Sequence, residues 1–171
     1  MIQQLNNWLD SISTYADMSP DHSIRRQVNK RMALSARDAL SIGDWCNLFA
    51  TYSHDGSPFS EKDRAVVAFV SACFSDYSGL DFSLVRPHDR LHNDLHFALV
   101  CWHDWVITFC EDFYQCFEID LSDYFDEDDF ETIGDLINFL VRYVRTSDTQ
   151  AANSTAAETK NKTERLLVGV R

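Results

Sequence analysis

The sequence TIGDLINFL occupies residues 132–140 and repeats, with changes, the pattern of SIGDWCNLF at residues 41–49. Ile, Gly, Asp and Asn recur at the same offsets, and the match extends to Tyr52 and Tyr143. A Ser or Thr placed three residues before an Asp forms a capping box, which satisfies free N–H groups at the start of a helix. The Asp also suits the positive end of the helix dipole. The repeated pattern therefore predicts two helix starts.

The composition favours a helical protein with one sizeable core. The chain has 171 residues and many aromatic side chains, but only 5 Gly and 3 Pro, as is typical of helical rather than β-sandwich proteins. No apolar run approaches the roughly 20 residues that span a bilayer, and the first residues lack the basic start of a signal peptide. We therefore expect a soluble, cytoplasmic protein with no membrane contact.

The charge of the chain indicates what kind of partner it could bind. The formal net charge is −12 at pH 7, and such a field repels phosphate groups, so we expect no nucleic-acid ligand. A protein partner with a basic surface fits this charge, although solubility alone explains the acidity equally well.

The cysteines and tryptophans are expected in the core. Five cysteines fall in apolar stretches without a C-x-x-C pair, which favours buried, reduced thiols. Trp8, Trp45, Trp102 and Trp105 are interpreted in the same way. If Trp45 and Trp102 or Trp105 lie on exposed faces, they would instead be interface anchors.

Apolar residues spaced near 3.6 predict an all-α fold. The predicted helices cover residues 2–17, a segment capped by Ser19 with Pro20 at its first position, residues 42–53, a segment from Ser60 to Tyr77, residues 97–117 and residues 133–146. Ser60 is expected to cap its helix with Asp63 three residues later, and Ala65 is expected on the buried face. Turn-forming residues at 54–58 separate an N-terminal helical segment, residues 1–53, from the body at 59–145, and Gly79 is expected as a left-handed helix cap. Residues 146–171 are expected to form a flexible tail, in which the apolar run at 166–170 could dock on the body.

Four pieces of the body occur in an order known from one family. A first helix ends near Tyr77, and the loop VRPHDRLHNDL at 85–95 follows. FEIDL at 117–121 comes after a second helix, and TIGDL at 132–136 opens the last one. In these motifs and their order, residues 59–145 resemble an acyl carrier protein domain, most closely enterobacterial relatives of unknown function that lack the carrier chemistry. The resemblance implies a carrier-protein-like helical bundle with an additional N-terminal helical segment.

The residue that receives the prosthetic group in carriers is missing. Their serine receives phosphopantetheine shortly after the loop motif, whereas the resemblance places Leu99 at this position, and leucine has no hydroxyl. The resemblance therefore implies no cofactor. LDSI at residues 9–12 also resembles the carrier motif and precedes the first Ile-Gly-Asp copy, so the N-terminal half could be a truncated repeat with Ser11 as its modification site. The family's preceding helix and glycine are absent there.

Three histidines have a spacing that a helix could use to hold a metal. His88, His92 and His96 recur every fourth residue, which places imidazoles on one helix face. However, Pro87 and the carrier-like loop favour an irregular segment here, where that spacing loses its meaning, so surface histidines are the simpler interpretation. Cys101 and His103 lie two apart and would point away from each other on a helix. We expect no enzymatic activity.

The combined prediction is a non-enzymatic acidic interaction or regulatory protein. True carriers present an acidic docking face on their second helix, and the resemblance implies the same use here. The candidate partner-binding residues are Asp104, Glu111, Asp112 and Glu118, with Asp120 and Asp123 beyond them. The alternative is an acidic immunity or inhibitor protein that neutralises a basic toxin or nuclease.

Overall fold

The computed structural model describes residues 21–52 and 59–147. These residues form six α-helices, and apart from one isolated antiparallel bridge between Arg90 and Thr132 they contain no β-structure. The helices are α1 (His22–Leu34), α2 (Ile42–Tyr52), α3 (Glu61–Ser78), α4 (Phe97–Val100), α5 (Trp105–Phe117) and α6 (133–147). The all-α prediction is confirmed. The predicted helix at 2–17, Trp8, Ser11 and the tail from 148 onward lie outside the described residues.

Both copies of the Ile-Gly-Asp pattern start helices through capping boxes, as predicted. The Ser41 hydroxyl accepts a hydrogen bond from the Asp44 N–H at 3.2 Å, and the Ser41 N–H donates to the Asp44 carboxylate at 3.3 Å. Thr132 and Asp135 make the same two bonds, at 3.1 and 3.0 Å. Each box satisfies donors that the first helical turn would leave free.

Helix α3 has the predicted signals at both ends. Ser60 and Asp63 form a third capping box, and the helix ends at Gly79 with φ of +64°. A Cβ atom at Gly79 would lie 2.8 Å from the Arg25 side chain of α1. The left-handed backbone therefore favours glycine there, and any larger residue would also force the Arg25 side chain to shift. Ala65, predicted on the buried face, is exposed, because the buried face of α3 follows Asp63, Val67 and Val70 instead.

The first described helix starts two residues later than the sequence predicted. Asp21, not Ser19, caps α1, and its carboxylate accepts from the N–H groups of Ser23 and Ile24 at 2.8 and 3.0 Å. An aspartate whose side chain reaches two N–H groups of the first turn satisfies the same donors that a serine cap would.

The prediction of one long helix over 97–117 is wrong. Helix α4 ends at Val100, Cys101 is extended, and α5 starts at Trp105. In a continuous helix the Leu99 and Val100 carbonyls would accept from N–H groups four residues later. Here the Leu99 carbonyl accepts from the Asp21 N–H at 2.9 Å, and the Val100 carbonyl from the Arg25 guanidinium at 3.3 Å. The start of α1 therefore takes two carbonyls that the helix would have used.

One hydrophobic cluster joins all of the described helices. Its centre is aromatic, with Phe74 of α3 stacked on Phe109 of α5 at 5.6 Å and edge-on to Phe97 of α4 at 4.5 Å. Trp45 of α2 is buried in the same cluster and donates from its indole N–H to the Val85 carbonyl at 3.0 Å. Helices α1 and α2 therefore share the core of the body. Isolated aromatic pairs of this kind contribute about 0.5–1.5 kcal/mol beyond their buried area.

The cysteine and tryptophan predictions hold in most cases. Cys46, Cys73, Cys101 and Cys110 are buried free thiols, while Cys116 is exposed. Trp45 and Trp105 are core residues, as predicted, but Trp102 is 52 % exposed. None of the helices in the described part of the chain is long and apolar enough to cross a membrane.

A buried ion pair connects the α1–α2 loop to the loop before α4. The Asp89 carboxylate is 4 % exposed and accepts from both terminal nitrogens of Arg37, with Nη2 at 2.8 Å, and from the Arg86 N–H at 2.7 Å. The hydrogen bonds to Asp89 raise the pKa of Arg37 above its ordinary value, despite its partial burial. The buried carboxylate is therefore paired with an opposite charge and hydrogen-bonded by a backbone N–H, as a buried charge requires.

A second buried pair connects the start of α3 to the end of α6. Asp63 is completely buried and accepts from Nη2 of Arg145 at 2.8 Å, in addition to its capping bonds. Burial alone would raise the pKa of Asp63, but the hydrogen bonds from Arg145 and Ser60 outweigh it and hold the pKa below its usual value of 3.8.

Asp89→Asn is expected to lower the free energy of unfolding by about 3 kcal/mol, because it leaves the Arg37 charge without its buried partner. Asp94→Asn is the matched control, since Asp94 pairs with Arg90 in an exposed bidentate bridge. Its loss should be about 1 kcal/mol or less. Urea unfolding of both variants measures the difference. Equal losses would contradict the role assigned to the Asp89 pair.

Acidification should destabilise the protein as the pH falls from about 4 to about 2. Asp63 has a lowered pKa, and the pair with Arg90 lowers the pKa of Asp94 to about 2. The two carboxylates bind protons less tightly in the folded state than in the unfolded chain. The stability that they contribute is therefore complete above their unfolded pKa and is lost as the pH falls through their folded pKa. Urea unfolding at several pH values in this range should show that the free energy of unfolding depends less steeply on pH in Asp63→Asn than in the parent protein. A slope equal to that of the parent protein would refute this assignment.

Candidate interaction surface

The acidic residues of this protein are concentrated in one part of the chain. Between Arg90 and Arg142 there are thirteen Asp and Glu residues and no Lys or Arg. This segment contains α4, α5 and the first half of α6. Acids without neighbouring cations produce a negative potential at the surface that draws in positively charged groups.

Helix α5 presents acidic and apolar residues alternately along one exposed line. Its buried face carries Trp105, Phe109 and Phe113. Spacings of three and four residues place the opposite set on a single outward line. We call this set the α5 stripe, and it consists of Asp104, Ile107, Glu111, Tyr114 and Glu118, all of them exposed. Ile107 is 64 % exposed and Tyr114 is 56 % exposed, so the stripe offers apolar area as well as charge.

The six predicted partner-binding residues do not all lie on the stripe. Asp104, Glu111 and Glu118 belong to it. Asp112 of α5 is half-buried, and its carboxylate accepts a hydrogen bond from the Tyr77 hydroxyl of α3. Burial and this bond raise the pKa of Tyr77 above its ordinary value. Asp112 therefore has a structural task that the sequence did not indicate.

Asp120 and Asp123 lie beyond the end of α5, and both are exposed. Asp120 accepts from the Ser122 N–H at 2.9 Å, and this bond, with that from the Ser122 hydroxyl, lowers the pKa of Asp120. Its carboxylate therefore stays charged to lower pH than an ordinary aspartate and extends the acidic surface past Glu118.

Exposed apolar residues lie next to the acids, and of these the sequence left open the exposure of Trp102 as an interface anchor but did not indicate that of Leu99. Leu99 and Trp102 are each 52 % exposed, and they precede the N-terminal end of the α5 stripe. The signal was present, since residues 97–117 have apolar side chains on more than one face. A surface helix needs only one apolar stripe for its core. The additional apolar residues therefore indicated either a central helix or an exposed apolar surface. In the structure α5 buries one apolar face and leaves Ile107 and Tyr114 exposed on the other.

The structure does not assemble the candidate metal ligands. His88 and His92 are exposed in the irregular segment before α4, and His96 has a left-handed backbone with φ of +51°. His92 lies 3.6 Å from a carboxylate oxygen of Asp128. No group of three or more His, Cys, Asp or Glu side chains that could hold a metal ion occurs in residues 21–52 and 59–147.

The buried thiols lack the environment of a nucleophile. Burial raises the pKa of Cys101 above its ordinary value and that of Cys73 to about 11. Reactive cysteines have a lowered pKa and a positively charged setting. Leu99 is an exposed residue of α4 whose side chain offers no hydroxyl.

Comparisons with protein-family models, with curated proteins and with solved structures find no match to this chain. The likeness of residues 59–145 to an acyl carrier domain therefore depends on four short motifs and their order. Function has to be argued from the surface itself, and its most distinctive part is the α5 stripe.

Proposed function

We propose that this protein is a non-enzymatic interaction protein that binds a partner with a basic surface through the α5 stripe. The observation that carries the proposal is the alternation of exposed acids with exposed Ile107 and Tyr114 on a segment without Lys or Arg. The motif order supports a degenerate acyl-carrier-like domain that keeps an acidic docking face and carries no phosphopantetheine.

The two kinds of side chain on the stripe have different tasks in binding. Acids attract a basic partner from a distance and set its orientation, but exposed ion pairs contribute little affinity. Burying a large apolar side chain contributes roughly 1.5–3 kcal/mol. Ile107 and Tyr114 therefore supply the affinity, and Glu111 between them supplies the selection for positive charge. The partner surface that fits this pattern has an apolar ridge bordered by Lys or Arg.

Glu111→Lys should reduce partner capture about tenfold, because it replaces an attraction by a repulsion at the centre of the stripe. The protein would be used as bait in extracts of its host at about 0.05 and 0.5 M salt, with recovered partners quantified by mass spectrometry. Recovery by the parent protein should fall at the higher salt. A partner that proves to be a toxin or nuclease would favour the inhibitor alternative.

Asp76→Lys is the control for this experiment. Asp76 is an exposed residue within α3, and its replacement changes the charge by the same amount away from the stripe. Thermal unfolding would show that both variants are folded. A partner site on the stripe would be refuted if the Glu111→Lys protein recovered as much partner as the parent protein. It would also be refuted if Asp76→Lys lost as much partner as Glu111→Lys.

Co-expression with a phosphopantetheinyl transferase should leave the intact mass of this protein unchanged, because Leu99 has no hydroxyl to accept the group. A true carrier expressed in parallel shows that the transferase is active. A mass increase would contradict the proposal, and the Ser11→Ala variant would then show whether Ser11 is the acceptor. Mass spectrometry of the intact proteins gives the answer directly.

A further inference from the structure

Two adjoining cavities form a groove where the end of α5 meets the end of α6. The first has a volume of about 710 Å³ and is bordered by Phe139 and Tyr143 of α6. The second, of about 700 Å³, is bordered by Phe117 and Val144. Ile119 and Ser147 line both cavities. We call the two together the C-terminal groove.

The floor of the C-terminal groove is apolar and partly uncovered. Phe117, Ile119, Phe139 and Tyr143 pack against the core but remain half-buried. Tyr124 stands at the first cavity, 60 % exposed, with its ring 5.8 Å from that of Tyr143. Half-buried apolar side chains that line an open groove can cover an apolar segment that binds there.

The rim of the groove continues the acidic surface. Glu118 and Asp120 border it, together with the cations Lys62 and Arg142. The surrounding segment from Arg90 to Arg142 adds acids only. The groove therefore suits an apolar segment whose flanking charges include cations, which can pair with Glu118 and Asp120 at the rim.

The chain itself contains such a segment in the right place. Ser147 is the last residue that the structure describes, and it lines both cavities. Beyond it, LLVGV at residues 166–170 is the apolar run singled out from the sequence, and residues 160–171 have four Lys or Arg and one Glu. The eighteen residues at 148–165 connect the two. An unstructured chain of that length has an r.m.s. span of about 24 Å, so the groove lies within easy reach.

We infer that residues 164–171 bind in the C-terminal groove of their own chain, with the apolar run on the floor and the basic residues towards the acids. A short connecting segment gives an effective concentration in the millimolar range, so even a contact with an intrinsic Kd of about 0.1 mM would be occupied in roughly nine molecules of ten. Because Glu118 belongs to both surfaces, the bound segment would also cover one end of the α5 stripe. The docking itself does not depend on the proposed function.

Cys116 provides a reporter for the groove. It is the exposed cysteine and lines the second cavity, whereas the other four are buried. Alkylation of the purified full chain by a maleimide would be followed by intact mass and compared with a chain ending at residue 159. We expect Cys116 to react about tenfold more slowly in the full chain, because only the open tenth of the molecules is accessible. The four buried cysteines should stay unreacted in both, which shows that both are folded.

Two matched variants test whether the apolar run is responsible. Leu166→Asp combined with Leu167→Asp should raise the alkylation rate to that of the shortened chain. Ala151→Asp combined with Ala152→Asp adds the same charge to the connecting segment and should leave the protection intact. Equal rates in the full and shortened chains would overturn the inference, as would loss of protection in the alanine variant alone.

A disulfide test identifies which chain supplies the segment. Val168→Cys in the full chain, oxidised with glutathione disulfide, should form a link to Cys116 within one molecule. Peptide mass mapping would locate this link, and Cys116→Ser should abolish it. A disulfide-linked dimer in place of the internal link would mean that a second copy fills the groove, and that result would overturn the inference for the same chain. The absence of any link, together with unprotected Cys116, would also overturn it.

Discussion

The buried carboxylate of Asp89 is the interaction on which the rest of this fold depends. Its side chain binds Arg37 and thereby fixes the α1–α2 loop. Its backbone carbonyl accepts from the Ile133 N–H at 3.0 Å, and the Pro87 carbonyl accepts from the Gly134 N–H at 2.8 Å. One turn therefore holds the N-terminal helices through a side chain and the start of α6 through the backbone. A carboxylate is suited to this role because it can accept several charged and backbone donors at once.

The position of the α5 stripe follows from this arrangement. Once α1 is held against the body, its first turn takes the Leu99 and Val100 carbonyls, and the chain has to leave the helical path at Cys101. Helix α5 then starts afresh with Trp105 in the core. The phase of the new helix is set by the burial of Trp105 and Phe109, so the residues opposite them must face outward. The exposed acids are thus a consequence of packing on the other side of the same helix.

The features that the sequence predicted correctly are local ones. A capping box needs only residues three apart, and the three boxes and the Gly79 cap could all be found from such short patterns. The break after α4 could not, because its cause is Asp21 and Arg25, which are more than seventy residues away in sequence. The hydrogen bond that Asp112 accepts could not be found from the sequence for the same reason. Its partner Tyr77 lies thirty-five residues away, and nothing in the neighbouring sequence distinguishes it from Glu111.

The distribution of cations and of exposed apolar residues supports the proposed use of the acidic surface in binding. Two of the arginines, Arg37 and Arg145, are committed to buried carboxylates and cannot neutralise the stripe. Asp104, Glu111 and Glu118 recur every seven residues, about 10 Å apart along the helix, so they repel one another only weakly and form an extended negative line. Ile107 and Tyr114, which are exposed between them, oppose solubility. A line of acids that alternate with exposed apolar side chains is of little use to an isolated molecule and suits one that has a basic, apolar surface to bind.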